Sequence, residues 1–285
     1  MRKLLILFIA LIPLSALQAQ REYLPTEEDL EAFKTSKTYV VLDANPMSEY
    51  NFEMKDAIEN YWNLTDYEFI DRNDFEENVT DETKSFLYMA IVNFEKDKSQ
   101  TMYNFLCLSI GGDYPTMGEM KDIVNIPISF YGVDEENFAY KLGTLVNFMQ
   151  NHVKMITADP DLVSQNVFKH YNDNMADIQS KILYLVKDEM ERKAQTESAI
   201  KAVYPYDFKF VTREDIKDAI MNKEEDVVFL HKVGPEGVRL TSRVYKILIG
   251  AGDSHFYYFD YHKVTPKAPD AFLLSDLKKL GKAKK

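Results

Sequence analysis

A single cysteine, Cys107, stands among 285 residues, so no disulfide can close within the chain. In an oxidising compartment a lone thiol has to be hidden or paired between chains. The run Phe105-Leu106-Cys107-Leu108 reads as a buried strand and places this thiol in the core. Glycine and proline are scarce, at 10 each, and no low-complexity tract occurs, which argues against disorder. Neither G-x-G-x-x-G nor a P-loop is present, so the glycine-rich phosphate cradles are missing. A serine nucleophile elbow, a helical zinc pair and an EF-hand loop are absent too. Cations are outnumbered, 34 Lys and Arg against 46 Asp and Glu, and the formal charge of -12 disfavours nucleic acid and anionic membrane faces as partners. The basic tail of Lys278, Lys279, Lys282, Lys284 and Lys285 is a local exception and reads as a solvated terminus.

Long apolar runs are confined to the amino end. Arg2 and Lys3 precede Leu4 to Leu14, followed by Ser15 to Ala19 and a polar segment from Gln20, the order of a secretory signal. The run is shorter than the roughly 20 residues of a spanning helix. These features predict a signal peptide over 1–19 cleaved after Ala19, export to the periplasm or beyond, and no transmembrane segment after cleavage. With 46% hydrophobic residues, 18 Tyr and 18 Phe, the remainder has the side chains for a large core.

What is present is an internal echo. Ser36-Lys37 recurs at Ser180-Lys181, Ala57-Ile58 at Ala199-Ile200, and Tyr67-Glu68-Phe69 at Tyr206-Asp207-Phe208. Tyr103 matches Tyr245, and Ile110-Gly111 matches Ile249-Gly250. The order is kept and the spacing drifts little, which predicts two tandem copies of one unit. The expected organisation is a first α/β repeat over 20–158, a helical connector over 159–179 and a second repeat over 180–285. Each copy reads as β-α-β-α-β-β-β-α with a mixed sheet, and the expectation is a pseudo-twofold relation with a groove between the halves.

Within the first copy, Thr38 to Asp43 reads as a strand ended by Asn45-Pro46, then a helix capped by Ser48 with Phe52, Ala57, Ile58 and Tyr61 near one face. Pro127 makes Ile123 to Tyr131 an edge or bulged strand. A stripe from Phe138 to Ile156 predicts one long helix from Asp134. In the second copy the echo makes Ile182 to Val186 a strand, Asp188 to Val203 a helix, and Ala268 to Leu280 the closing helix.

Of the five histidines only His255 and His262 lie close in sequence, and strand alternation points them to opposite faces. Alternation puts Asp260, His262 and Tyr258 on one face, together with Phe256, as weak candidates for proton transfer or metal binding. A satisfied polar row on a sheet explains the same residues. The aromatic strand 256–262 suits either sugar and peptide stacking or a strand covered on both sides. Asp43, Asn45 and Ser48 lie in the loop after the first strand, where open α/β sheets commonly bind ligands. The second copy has Lys187-Asp188-Glu189-Met190 there, so the polar chemistry is not repeated. No metal site and no cofactor is read from the chain.

The segments from Thr38 to Ile70, from Val227 to Gly237 (VVFLHKVGPEG) and from Phe256 to Val264 (FYYFDYHKV) resemble an uncharacterised family of secreted proteins from Bacteroidetes-type Gram-negative bacteria. The resemblance implies a periplasmic or outer-surface setting, assigns no chemistry and carries over no functional residue. The expectation is thus an exported, non-catalytic protein that binds an envelope protein or a small ligand between two α/β halves. Its alternatives are a periplasmic hydrolase using Asp260 and His262, and a carbohydrate- or peptide-binding module using strand 256–262.

Overall fold

Thr26 accepts from the Asp29 amide while the Asp29 carboxylate reaches back to the Thr26 amide, and this capping box starts α1 (Glu27–Thr35). The computed structural model describes residues 24–94, 99–164, 167–237 and 239–284. The signal peptide expected over 1–19 lies outside them. After α1 come β1 (Lys37–Val41), α2 (Glu49–Tyr61), β2 (Tyr67–Ile70), α3 (Arg72–Asn78), β3 (Lys84–Asn93), β4 (Met102–Ile110), β5 (Asp122–Phe130) and α4 (Leu142–Ala158). Two short helices, α5 (Asp161–Ser164) and α6 (Val167–Asn172), lead to β6 (Ile182–Val186), α7 (Glu197–Lys201), β7 (Phe208–Val211), α8 (Arg213–Met221), β8 (Val227–Val233), β9 (Arg243–Gly250), β10 (Phe256–Lys263) and α9 (Leu274–Gly281).

The chain is a mixed α/β protein with two five-stranded sheets, ordered β2-β1-β3-β4-β5 and β10-β9-β8-β6-β7. Read from the same end, the second order is the first repeated. In each sheet the initial strand pairs in parallel with the next two, and the last three strands run antiparallel. The registers fix structural equivalents: Thr38 stands where Leu183 stands, Tyr88 where His231, Cys107 where Ile247, Phe105 where Tyr245 and Pro127 where Tyr261. The sequence echo lies one or two residues away from this register, since Tyr245 stands opposite Phe105 rather than Tyr103, and Ile110 corresponds to Gly250 rather than Ile249.

The halves meet through unlike surfaces. The carbonyl of Pro127, on edge strand β5, accepts from Nε2 of His231 on the face of the second sheet at 2.9 Å. To one side Phe148 of α4 stacks on Phe256 at 3.5 Å between ring centroids, and to the other Tyr103 packs edge-on against Tyr245 at 5.6 Å. Lys217 of α8 bridges to Glu53 of α2 at 3.2 Å. One hydrophobic core runs through this junction and joins Val40, Leu106 and Leu145 to Phe229, Ile247 and Ile249. The other face of the second sheet packs under α7 and α9 through Leu185, Ile200, Leu248 and Leu277. A twofold axis would bring like surfaces together, whereas here the edge of one sheet abuts the face of the other. Among the described residues a void of about 20 Å³, bordered by Ile128, Ser129, Glu189 and Lys232, lies at the junction.

Several local expectations shift. The helix expected from Asp134 begins as two 3-10 turns, Glu135–Asn137 and Ala139–Lys141, and becomes α-helical at Leu142. Asp134 makes no capping bond; Glu135 instead reaches back to the Tyr50 amide at 3.1 Å and pins the turn to α2. The helix expected over 188–203 divides into 3-10 turns at Lys187–Glu189 and Arg192–Ala194 before α7. There Phe272 bonds the backbone of Glu189 and Glu191, holding the segment away from helical geometry. Phe52 is exposed on α2, whose buried face is Tyr50, Met54, Ala57 and Ile58. Pro127 does lie in an edge strand, beside a bulge between Asn104 and Phe105. Among the described residues no helix is long and apolar enough to cross a membrane.

Candidate functional site

Strand β3 outruns its neighbour β1. The last pair between them is Val40 with Leu87, and β3 then continues to Asn93 with only β4 beside it. Short helix α3 covers one end of this sheet face through Phe75, which packs on Phe86 and Tyr88. A cavity of about 910 Å³ lies against the remainder of the face, over buried Tyr88, Phe105 and Cys107. Its lining includes Asp43, Tyr88, Ala90, Phe105, Cys107 and Asp122. Lining of this kind, mostly apolar with a few convergent polar groups, characterises small-molecule and peptide sites. The cavity also opens beside the carboxyl end of β1, where α/β sheets commonly bind ligands. A second hollow of about 870 Å³ lies at the opposite, amino end of β1, among the loops Lys34–Lys37 and Trp62–Tyr67.

The polar floor of the first cavity is a chain of bonds across β3, β4 and β5. Ser109 donates to Asp122 Oδ1 at 2.5 Å and lies 3.2 Å from the Tyr88 hydroxyl, and Asn125 donates to Asp122 Oδ2 at 2.8 Å. Burial raises the Asp122 carboxyl above its ordinary range, and the bonds from Ser109 and Asn125 only partly offset this. Burial pushes the Cys107 thiol well up, with the charge of Asp122 adding to the effect, so the sulfur stays protonated and unreactive. The Tyr50 hydroxyl enters from α2, fully buried and without a hydrogen-bond partner among the described residues.

The loop residues of the sequence reading divide into two roles. Asp43 is exposed and lines the cavity. Asn45 accepts from the Met47 amide, and Ser48 accepts from the Asn51 amide as the N-cap of α2. Both therefore shape the loop rather than face the cavity. Buried Asn51, which the sequence reading passed over, holds the loop by donating to the carbonyls of Asp43 and Asn45 and accepting from the Asp43 amide.

Asp260, His262 and Tyr258 are not brought into one reacting group. Tyr258 is buried and donates to Asp260 Oδ2 at 3.0 Å and towards Asp276 Oδ1 at 3.3 Å. His262 stays on the same face, near Lys246 and Asp276, but its Nε2 donates to the Pro269 carbonyl at 2.8 Å. Burial acts to raise the Asp260 carboxyl, but Lys246 and Lys279 outweigh it and hold the group below its usual range. Lys246 itself is buried with Asp276 at 2.7 Å, and Lys232 with Asp270 at 2.7 Å. This is a satisfied ion-pair network that ties α9 and the segment before it to the second sheet. A bulge between Phe256 and Tyr258 breaks the alternation, so Phe256 faces the junction while Tyr258 faces α9, not the same side as expected. Along this aromatic strand Tyr257 and Tyr258 are buried and Tyr261 is 48% exposed. Among the described residues no group of three or more His, Cys, Asp and Glu is placed to hold a metal ion.

Compared with protein-family models, with curated proteins and with solved structures, the chain matches none.

Proposed function

We propose that this chain is an exported, non-catalytic binding protein of the periplasm or envelope, and that it holds its partner or ligand on the open face of its first sheet. The observation that carries this reading is the 910 Å³ cavity, in which exposed Asp43 at the rim and the Tyr88 and Asp122 floor surround apolar Ala90 and Phe105. The order of residues at the amino end supports export, and the acidic composition supports a partner other than nucleic acid. A binding role needs a shaped, partly apolar surface and no reacting pair, and the use of His262 Nε2 on the Pro269 carbonyl and of Asp260 by Tyr258 supports it over hydrolysis. The test is native purification of the wild type and of Ala90→Trp, which fills the cavity, followed by mass spectrometry of what each retains. A molecule held by the wild type and lost from the folded variant is the expected result. Equal retention by both proteins sinks the reading.

A further inference from the structure

The cavity-bearing face of the first sheet corresponds in register to the face that the junction covers in the second, although its Tyr88, Phe105 and Cys107 are buried and Phe105 packs on Tyr245 at 6.1 Å. Tyr88, Phe105 and Cys107, which line the cavity, are the register equivalents of His231, Tyr245 and Ile247. In the second sheet those three positions are the ones the first half covers. His231 bonds the Pro127 carbonyl, Tyr245 packs on Tyr103, and Ile247 lies in the shared core. Conversely, the docking edge β5 has its equivalent in β10, where Tyr261 takes the place of Pro127 and is 48% exposed. Helix α6 covers β10 as far as Phe259, which Asn172 bonds at both amide and carbonyl, so the edge that α6 leaves starts near Tyr261. Among the described residues one molecule thus carries a joined pair of surfaces at its centre, a cavity at the face of its first half and exposed Tyr261 at the edge of its second.

We propose that the face of the first sheet receives the β10 edge of a second copy of this chain, giving head-to-tail association. The inference rests on the reading of that face as the binding surface and names its occupant. A head-to-tail contact of edge on face repeats into rings where its rotation closes and into open chains where it does not.

Charge complementarity supports this occupant. At the internal junction Glu53 of α2 meets Lys217 of α8. The cap positions align α3 with α8, placing Glu76, itself paired with exposed Arg72 at 3.1 Å, where Lys217 stands, among exposed Asp71, Asp74 and Glu77. The segment that takes the place of α2 in the second half carries exposed Arg192, Lys193 and Lys201. The internal acid-to-base contact therefore reappears between copies with its signs exchanged. The halves are unequal in the same sense: residues 20–158 hold 26 Asp and Glu against 11 Lys and Arg, and residues 159–285 hold 20 against 21. Attraction between an acidic first half and a nearly neutral, locally basic second half favours unlike ends, while two first halves repel.

The test uses two surface variants of the full chain. Val92→Arg alters a half-buried cavity side chain on the Tyr88 face of β3, and Tyr261→Asp alters the exposed β10 edge. Circular dichroism and melting temperature establish that each folds as the wild type does. In sedimentation velocity the wild type grows past the dimer as concentration rises, and each variant alone stays monomeric. An equimolar mixture forms dimers and nothing larger, because one intact face and one intact edge remain. A wild type monomeric at every concentration, or a mixture that fails to associate, overturns the inference. If association fails while Ala90→Trp still releases another molecule that the wild type retains, the second copy is excluded and the binding face stands; if Ala90→Trp releases nothing, both fall.

Discussion

Nε2 of His231 donates to the carbonyl of Pro127 at 2.9 Å, a single fully buried bond that crosses from the second sheet to the edge of the first. Proline supplies no backbone donor, so β5 offers this edge position as an acceptor alone, and histidine supplies the matching donor. His231→Leu removes that donor and leaves the carbonyl buried and unpaired, at a cost of about 1–3 kcal/mol. His231→Gln, which keeps an amide donor, costs less. Urea denaturation of the three proteins measures the difference.

The same histidine makes the fold sensitive to acid. Burial, with the Lys141 cation adding to it, lowers His231 to about 3, although the bond to Pro127 opposes the shift. Burial, together with His170, lowers His152 to about 4. Both are neutral in the folded chain at pH 7, whereas in the unfolded chain they take up protons near pH 6.5. The unfolded state therefore binds more protons as pH falls, and stability is lost from about pH 6.5 down towards 4 and then 3. In urea midpoints measured from pH 7 to 4, His231→Gln has a shallower slope than the wild type. An unchanged slope contradicts the assignment.

Phe148 and Phe256 stack at 3.5 Å with their rings 6° from parallel, and both are buried in the core shared by the halves. Phe256→Ala costs about 3–5 kcal/mol through the cavity it leaves. Because one core spans the junction, the halves unfold together. Trp62, the sole tryptophan, lies in the first half and packs on Phe33. Its fluorescence follows the same denaturation curve as far-ultraviolet circular dichroism. Two separated transitions contradict a shared core.

Lys246 and Asp276 form a buried ion pair at 2.7 Å, and Asp276 also accepts from the Leu273 amide at the start of α9. Lys246→Met strands a buried carboxylate and costs about 3–5 kcal/mol. Adding Asp276→Asn removes the stranded charge while keeping an acceptor for the Leu273 amide, and most of the loss returns. A double-mutant cycle on melting temperature or urea midpoint checks this, and additive losses contradict it.

Much of the architecture was legible in the chain. Runs such as Thr38 to Val41 and Val227 to His231 are strands, Ser48 and Thr212 cap the helices that follow them, and Pro127 marks an edge. The echo assigned Ile182–Val186 to a strand against a local helical pattern, and the second sheet has it so. What escaped was tertiary. A backbone contact from Phe272 broke the helix expected after Lys187, and the bulge at Tyr257 moved Phe256 to the opposite face. The cavity left no trace in the sequence because Tyr88, Phe105 and Cys107 have the composition of any covered strand. Only the layout of the sheets leaves a cavity against them: α3 covers one end of the face, and the second half packs on Tyr103 and Phe105 at the other.

Hydrogen exchange along β3 tests most directly whether this face is a binding surface and a second copy its occupant. Beyond Leu87 the strand has no partner on the β1 side, so alternate amides from Met89 to Asn93 exchange quickly in dilute protein. The account predicts that raising the concentration of the wild type slows exchange there and around Tyr261 together, and that Val92→Arg abolishes both effects. Exchange at these two places that is the same at every concentration contradicts it.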